Sequence, residues 1–445
     1  MTSSFVLDGS YRRFDSVVIA GSPLRLFKLS AGGQRVVEAI EHGQPLPSGH
    51  AKLTDRLLDA GAIHPQRSES PFTATDVTIV VPAFNAQPSA MPHREVIVVD
   101  DASEPPLTAT AGQRIIRLST NGGPGAARNA GLAAVATPLV AFVDTDVDLD
   151  SAWLDALLAH FSDPRIALVA PRVASSEGST TLAQYESTRS PLDLGAEQGR
   201  IAAGTRISYV PAAVLVMRVD ALRAIGGFDE SLRTGEDVDM VWRLIAAGHR
   251  CRYEPASIVH HRPRTTFTGW VHQRLAYGRS AADLDSKHPG DVTPLRMSGW
   301  SAAVWALVLA RRPVVAAAVA AGTIVALRRK LADLPREEST RLAGLGHLYA
   351  GRQVASALTR VWWPLSLLAA LLVRRLRVPL AAAATVPALL DWYENRGPLD
   401  PARYVALRLA DDMVYGTGVW IGCIEQRSFG ALAPKFTNWP GRAGG

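Results

Sequence analysis

Four short apolar runs constrain this chain more than any other feature: "VTIVVPAFN" from Val77, "EVIVVDD" from Glu95, "RIIRLS" from Arg114 and "LVAFVDTD" from Leu139. Continuous Val/Ile runs without polar alternation mark strands buried on both faces, the signature of a largely parallel sheet between helices. A helical pattern from Pro124 to Ala136 precedes the fourth run, which makes the fold class α/β. Ligands in such sheets bind at the carboxyl ends of the strands. There the sequence places Asn85, Asp100, Asp101, Asp144 and Asp146.

The last run ends in four carboxylates within seven residues, Asp144, Asp146, Asp148 and Asp150. Neighbouring carboxylates repel and raise one another's pKa unless a cation or solvent relieves them. Asp150 precedes Ser151 and the helical pattern Trp153, Leu154, Leu157, Leu158, Phe161, so Asp148 and Asp150 are assigned to a solvated turn and helix cap. For Asp144 and Asp146 the local sequence leaves two alternatives, a turn or a divalent-metal site. Upstream, "NGGPGAARN" (Asn121 to Asn129) is a glycine-rich turn opening a helix, with Pro124 in the first turn and Arg128 soon after. The amino end of such a helix favours anions.

Composition bounds the rest. The 445 residues have room for two or three domains, and 47% hydrophobic with 20% charged residues is a globular balance rather than a disordered one. Cys251 and Cys423 match no metal or redox spacing and suit a reducing cytoplasmic setting. The amino-terminal stretch lacks a continuous apolar core, so no signal peptide is expected. Residues 291–445 hold 19 Lys+Arg against 10 Asp+Glu, leaving 28 against 31 before them. The basic excess of the tail directs attention to an anionic membrane surface rather than to nucleic acid.

In their order, "VPAFN", "VVDDAS", "NGGPGAARN", "VDTD", "GGFDE" followed by "GEDVDMVWRL", and "VHH" resemble the family 2 glycosyltransferases, over roughly Val77 to Pro289. The resemblance implies a GT-A nucleotide-sugar-binding mixed sheet and a nucleotide-sugar donor, UDP-glucose in this reading. It also implies donor contacts from Pro82, Asn85, Asp100, Asp101, Asn121, Arg128, Asn129 and Asp144. Mg2+ or Mn2+ is then held by Asp144 and Asp146, with His260 as a further ligand. The base of the resembled family carries over to Asp237, with Glu236 beside it as a second catalytic or acceptor-binding group. Read without the resemblance, Glu236 and Asp237 would merely favour a helix amino terminus. Gln273, Arg274 and Arg279 lie on a helical pattern, where they either approach the diphosphate or form a solvated face.

This chain departs from the family pattern in one respect. Only Ala86 to Arg94 join the first two runs and only Glu104 to Arg114 the next two, although parallel neighbours usually need about a dozen residues or more. The helices expected on that face are therefore lost or reduced to loops.

The flanks complete a three-part organisation. Residues 1–70, with strand-like "SVVIA" and "RLFKLS" and helical patterns Gly33 to Glu41 and Leu53 to Ala60, resemble the winged-helix peptide-binding domains of the PQQ-chaperone type. That resemblance implies a peptide-derived acceptor, the precursor of a redox cofactor. Residues 71–290 are the catalytic domain, and 291–445 a mostly helical, basic region. In the tail Pro313 to Leu327 and Val361 to Val373 are apolar but shorter than the ~20 residues of a bilayer span. With Trp300, Trp305, Trp362 and Trp363 beside arginines, they suit segments lying in the headgroup zone, and the expectation is a protein on the cytoplasmic side of the cell membrane. A polyprenyl-phosphate or cell-envelope glycan transferase is the alternative with the same donor site.

Overall fold

The structure, a computed structural model, describes residues 4–66, 69–89, 91 and 95–437. The chain divides into two compact units, Met1–Gly178 with Arg189–Pro263, and Ser179–Thr188 with Arg264–Gly445.

The first unit opens with strands β1 (Ser4–Leu7), β2 (Arg12–Phe14), β3 (Val17–Ala20) and β4 (Arg25–Lys28), helices α1 (Ala31–Glu41) and α2 (Ala51–Ala60), and strand β5 (Ile63–Gln66). Strands β2, β3 and β4 form an antiparallel sheet, and β1 pairs with β5. The Ser30 side chain accepts the Gly33 N–H to start α1, and a left-handed Gly61 ends α2. Val18, Phe27, Val37, Ile40, Leu57 and Ile63 close a small core.

This amino-terminal region is held to the rest of the unit by charge. Asp55 meets Arg165 at 2.8 Å and Arg250 at 3.3 Å, and Asp59 meets Arg250 at 2.7 Å. Deeper, buried His64 sits between Asp8 (2.9 Å) and Arg252 (2.8 Å). Because the guanidinium can only donate, His64 Nδ1 accepts from Arg252 and its Nε2–H donates to Asp8, which fixes a neutral tautomer.

The large sheet follows. Its elements are β6 (Val77–Ala83), β7 (Val96–Asp100), β8 (Gln113–Arg117), α3 (Pro124–Ala133), β9 (Leu139–Val143), β10 (Val147–Asp148), α4 (Asp155–Leu158) and β11 (Ile166–Ser175). After α5 (Thr181–Thr188), which belongs to the second unit, come β12 (Gly199–Arg200), β13 (Val214–Arg218), α6 (Val219–Ala224), α7 (Glu236–Ala246) and β14 (Arg250–His261). The strand order is β10-β14-β11-β13-β9-β6-β7-β8, with β12 on β14. Strands β9, β6, β7 and β8 are parallel, while β13 is antiparallel to β9, so the sheet is mixed. The four apolar runs are β6, β7, β8 and β9, and β6, β7 and β9 are almost wholly buried. Pro82 is tolerated within β6 because pairing with β9 stops at Val80, so its missing N–H breaks no ladder bond on that side.

Among the described residues no helix joins β6 to β7 or β7 to β8. Polar cross-links hold these loops instead. Asn85 N–H donates to Ser103 Oγ and Asn85 Oδ1 accepts the Glu104 N–H. The segment after Asp150 is less helical than its apolar pattern suggests: α4 has four residues and continues as a 3-10 turn, Ala159–Ser162. Asp150 accepts the Ala152 N–H within the preceding turn, while Trp153, Leu157 and Phe161 still enter the core.

The second unit is mostly helical. It contains α5, α8 (Phe267–Lys287), the short strand β15 (Arg296–Ser298), α9 (Gly299–Leu309), α10 (Pro313–Lys330), α11 (Arg336–Thr359), α12 (Trp363–Leu372), α13 (Arg377–Glu394), α14 (Pro401–Gln426) and β16 (Lys435–Thr437). Helix α14 lies directly on α8, because a Cβ at Gly418 would stand 2.3 Å from the Leu275 carbonyl and one at Gly278 2.0 Å from that of Tyr415. Beneath this seam, buried Arg274 is neutralised by Glu186 and by Asp411 at 2.8 Å, while Trp270 donates to Glu186 and Tyr185 to Asp411. Arg279 forms a bidentate pair with Glu425. Arg274 is therefore neither a diphosphate contact nor a solvated face but the centre of a buried ion network.

Candidate functional site

The carboxyl ends of β6, β7 and β9 and the amino ends of α3 and α7 carry the expected polar residues, which separate into two groups by what claims their side chains. Asp100 is fully buried at the end of β7, where it accepts from the Ser103 and Leu107 N–H groups and from Arg117. Burial alone would raise its pKa, but these donors outweigh it and hold the carboxyl below the ordinary range. Asp101 takes the glycine-rich turn: Oδ1 accepts from Gly122 N–H (2.7 Å) and Oδ2 from Gly123 N–H (2.8 Å). Gly123 has φ +90°, a conformation that suits glycine and aims its N–H at the carboxylate. Asn121 receives Arg233 on its side-chain oxygen at 2.6 Å. Asn129 exchanges hydrogen bonds with the Phe228 backbone, fixing the "GGFDE" loop. From the other side of that loop Arg243, paired with Asp239 on α7, donates to the Ile225 and Gly227 carbonyls. The "GGFDE" and "GEDVD" segments occur together because α7 physically holds the loop before it.

The second group is built from side chains that face one another. Arg128, on α3 and only 3% exposed, donates to Glu236 Oε1 at 2.6 Å and to Asp144 Oδ1 at 2.8 Å, with the Phe228 ring 5.4 Å from its guanidinium carbon. Asp144 is a third exposed. Burial and the charge of Asp146 push its carboxyl up, against the pull of Arg128. Asp146 approaches His261 Nε2 at 3.2 Å. Glu236 and Asp237 begin α7 after a left-handed Gly235, so both carboxylates sit at a helix amino end. Burial, then the neighbouring Asp237, raises Glu236 to about 7 despite Arg128. Half-buried Asp237 accepts from the Ala212 and Val238 N–H groups, and burial again pushes it upward.

Of the two adjacent histidines, the structure brings His261 rather than the expected His260 to Asp146. His260 is exposed and pairs across the ladder with Asp148, whereas His261 is buried and stands at Asp146. The reason is strand alternation: in β14 Val259 and His261 face inward while Ile258 and His260 face out. The inward Val259 was the signal that selects His261. Arg233 was also missed, although a base between "GGFDE" and "GED" is placed to reach back to the glycine-rich turn.

Among the described residues no three His, Cys, Asp or Glu side chains converge as a metal-ligand set. Asp144 and Asp146 instead offer two hard carboxylates with mutual repulsion to relieve, and His261 stands beside Asp146. That donor chemistry suits Mn2+ or Mg2+ completing its shell with phosphate oxygens and water. Both cysteines are buried, Cys251 with its thiol pushed up to about 12, which makes them inert.

A mixed sheet carrying acids at its strand ends and a Glu-Asp pair at a helix start has the form of a nucleotide-sugar transferase, and the chain belongs to the family 2 glycosyltransferases, whose model (Glycosyl transferase family 2) matches residues 80–226. Over 453 aligned residues, 94% of this chain and 94% of the relative, it is 38% identical to the pre-mycofactocin glycosyltransferase of Mycobacterium tuberculosis (strains CDC 1551 and H37Rv), and it is thus a homologue of that enzyme. The succinoglycan biosynthesis protein ExoO of Rhizobium meliloti is 30% identical over 41% of this chain and 59% of its own. Among solved structures, the mannosyltransferase PcManGT from Pyrobaculum calidifontis in complex with GDP-Man and Mn2+ matches 68% of this chain and 91% of its own at 15% identity and a TM-score of 0.36. The chain is a glycosyltransferase, and its mixed α/β fold with a central mixed sheet is consistent with GT-A.

Proposed function

We propose that this glycosyltransferase moves a hexose, glucose in this reading, from a UDP-sugar to the peptide-derived precursor of mycofactocin, with inversion at the anomeric carbon. The observation that carries the reading is the Asp144–Arg128–Glu236 chain beside Asp237 and the Asp146–His261 pair, on a chain collinear with a pre-mycofactocin enzyme. The donor lies against the strand ends bearing Pro82, Asn85, Asp100 and Asp101 and the turn from Asn121 to Asn129. Asp144, Asp146 and His261 would hold Mg2+ or Mn2+, which neutralises charge on the departing nucleoside diphosphate. Asp237 takes the proton of the acceptor hydroxyl, whose oxygen bonds to the anomeric carbon as the sugar–phosphate bond breaks on the opposite face. Glu236 holds Arg128 and orients its neighbour.

The amino-terminal region, read as a winged-helix-like module, recognises the peptide portion of the acceptor. Apolar segments and the basic surplus of the tail hold the protein on the cytoplasmic face of the membrane. The test is incubation of purified protein and Mn2+ with labelled UDP-glucose and either the peptide-derived precursor or a polyprenyl phosphate. Label entering the peptide fraction with inverted configuration supports the reading. Label entering only lipid, or retained configuration, overturns it.

A further inference from the structure

Arg128 divides its guanidinium between two acids. A guanidinium is strongest when both arms grip one carboxylate. Here one arm goes to each of two: Glu236, 7% exposed, and Asp144, 34% exposed. The Nε–H is buried and without a hydrogen-bond partner. The contact with Glu236 is sealed from water, whereas the contact with Asp144 faces solvent beside Asp146, where a cation has to arrive. Of the two arms, the one on Asp144 is the one built to let go.

We propose that Arg128 is a positioning residue that gates Asp144: in the donor-free protein its guanidinium occupies the carboxylate a divalent cation needs, and Glu236 is the anchor that keeps Arg128 in place when Asp144 is released. The proposal rests on the metal reading of Asp144 and Asp146. A cation approaching Asp144 competes with a fixed positive charge 2.8 Å from that carboxylate, so the unliganded protein binds metal more weakly than its acids alone would. Glu236 sets the strength of the competition. With its charge present Arg128 is shared, and without it Arg128 turns wholly to Asp144.

Two substitutions therefore move metal affinity in opposite directions. Arg128→Met keeps an apolar stem against Phe228, removes the competitor, and is expected to tighten Mn2+ binding at least tenfold without nucleotide. Glu236→Gln is expected to weaken it several-fold. Binding is read from loss of the free Mn2+ electron paramagnetic resonance signal, with circular dichroism to establish the fold of each variant. A merely structural role for the triad predicts weaker binding in both. Unchanged or weaker binding in folded Arg128→Met overturns the gate, and should that variant not fold, unchanged or tighter binding in Glu236→Gln does so. If wild-type protein binds no Mn2+ even with UDP, or if Asp146→Ala binds it as well as wild type, the metal reading itself fails and takes the gate with it.

Discussion

The α12–α13 hairpin should lie in the plane of a membrane surface and supply much of the protein's hold on it. No acidic residue occurs between Glu338 and Asp391, and Arg374, Arg375 and Arg377 sit at the bend. Helix α12 buries no residue, leaving Leu371 64% and Leu372 74% exposed, and Val378 on α13 is 72% exposed. No single described helix is long and apolar enough to cross a bilayer, although α11 and α12 together are, bent by 84° at their junction. The 10 residues of α12 reach about 15 Å, half the ~30 Å hydrocarbon core, and driving the bend inward would cost about 2.5–3.5 kcal/mol for each arginine. Lying flat avoids that cost and puts the arginines at phosphate level, where each contributes about 1 kcal/mol. With roughly two-thirds of each leucine still to bury, Leu371→Glu with Leu372→Glu should forfeit about 2–4 kcal/mol, a ~30- to 1000-fold weaker partition. The assay is flotation of the full chain with phosphatidylglycerol vesicles, and salt should release it only in part. Wild-type flotation of the double variant would refute the hairpin's role, and wild-type protein that never floats would refute the membrane reading altogether.

Asp144→Ala and Asp146→Ala should abolish transfer while keeping the circular dichroism of the fold, because both side chains reach solvent; full turnover in EDTA would exclude the metal. Asp101→Asn should cost roughly 2–3 kcal/mol in urea unfolding, since one of two charge-assisted bonds to Gly122 and Gly123 is lost. Glu236 is raised from about 4.5 to about 7, so the folded state holds its proton more tightly than the unfolded chain. Wild-type stability measured against Glu236→Gln should accordingly fall by roughly 2–3 kcal/mol as pH rises across that window, and a flat difference would contradict the assigned burial. His64 is shifted downward by burial and by Arg252, against the pull of Asp8, so its contribution is present above its ordinary value of 6.5 and lost as pH falls below it. His64→Gln should lose part of this acid sensitivity in unfolding scans between about pH 7.5 and 5.5.

The sheet was legible because β6, β7 and β9, buried on both faces, leave no alternation to confuse with a helix, while β8, expected to be buried likewise, lies at the sheet edge and is partly exposed. That no helix joins β6 to β7 or β7 to β8 among the described residues was legible from the short connections, although the observed strands are shorter than the apolar runs and leave about twelve residues in each. What replaces the helices was not: Asp100 and Ser103 form a polar brace with Asn85, which lies 18 residues before Ser103 on the other loop. His261 could be selected only by phase, since one residue of slip moves a side chain to the other face of the strand. Arg274 was misjudged for the opposite reason. Its helix also carries Gln273 and Arg279, so a third polar residue there gives no sign of burial, and the acids that neutralise it lie 88 residues before it and 137 after it.

An aspartate at the end of a buried strand is ambiguous in sequence because the same carboxylate can organise a loop or meet a ligand. The structure separates the cases by what already claims the oxygens. Asp100 and Asp101 are held mainly by backbone N–H groups, donors that cannot withdraw without remaking the loop, so their charge is committed to the fold. Asp144 and Asp146 are met by Arg128 and His261, side chains with rotamers of their own, and both acids reach solvent. A partner that can move leaves an acid able to exchange it for a cation or a phosphate-bound ion, whereas a partner built into the backbone does not. On that ground the proposed chemistry is assigned to β9, β14 and the start of α7, with the ends of β6 and β7 chiefly holding the floor of the proposed donor site.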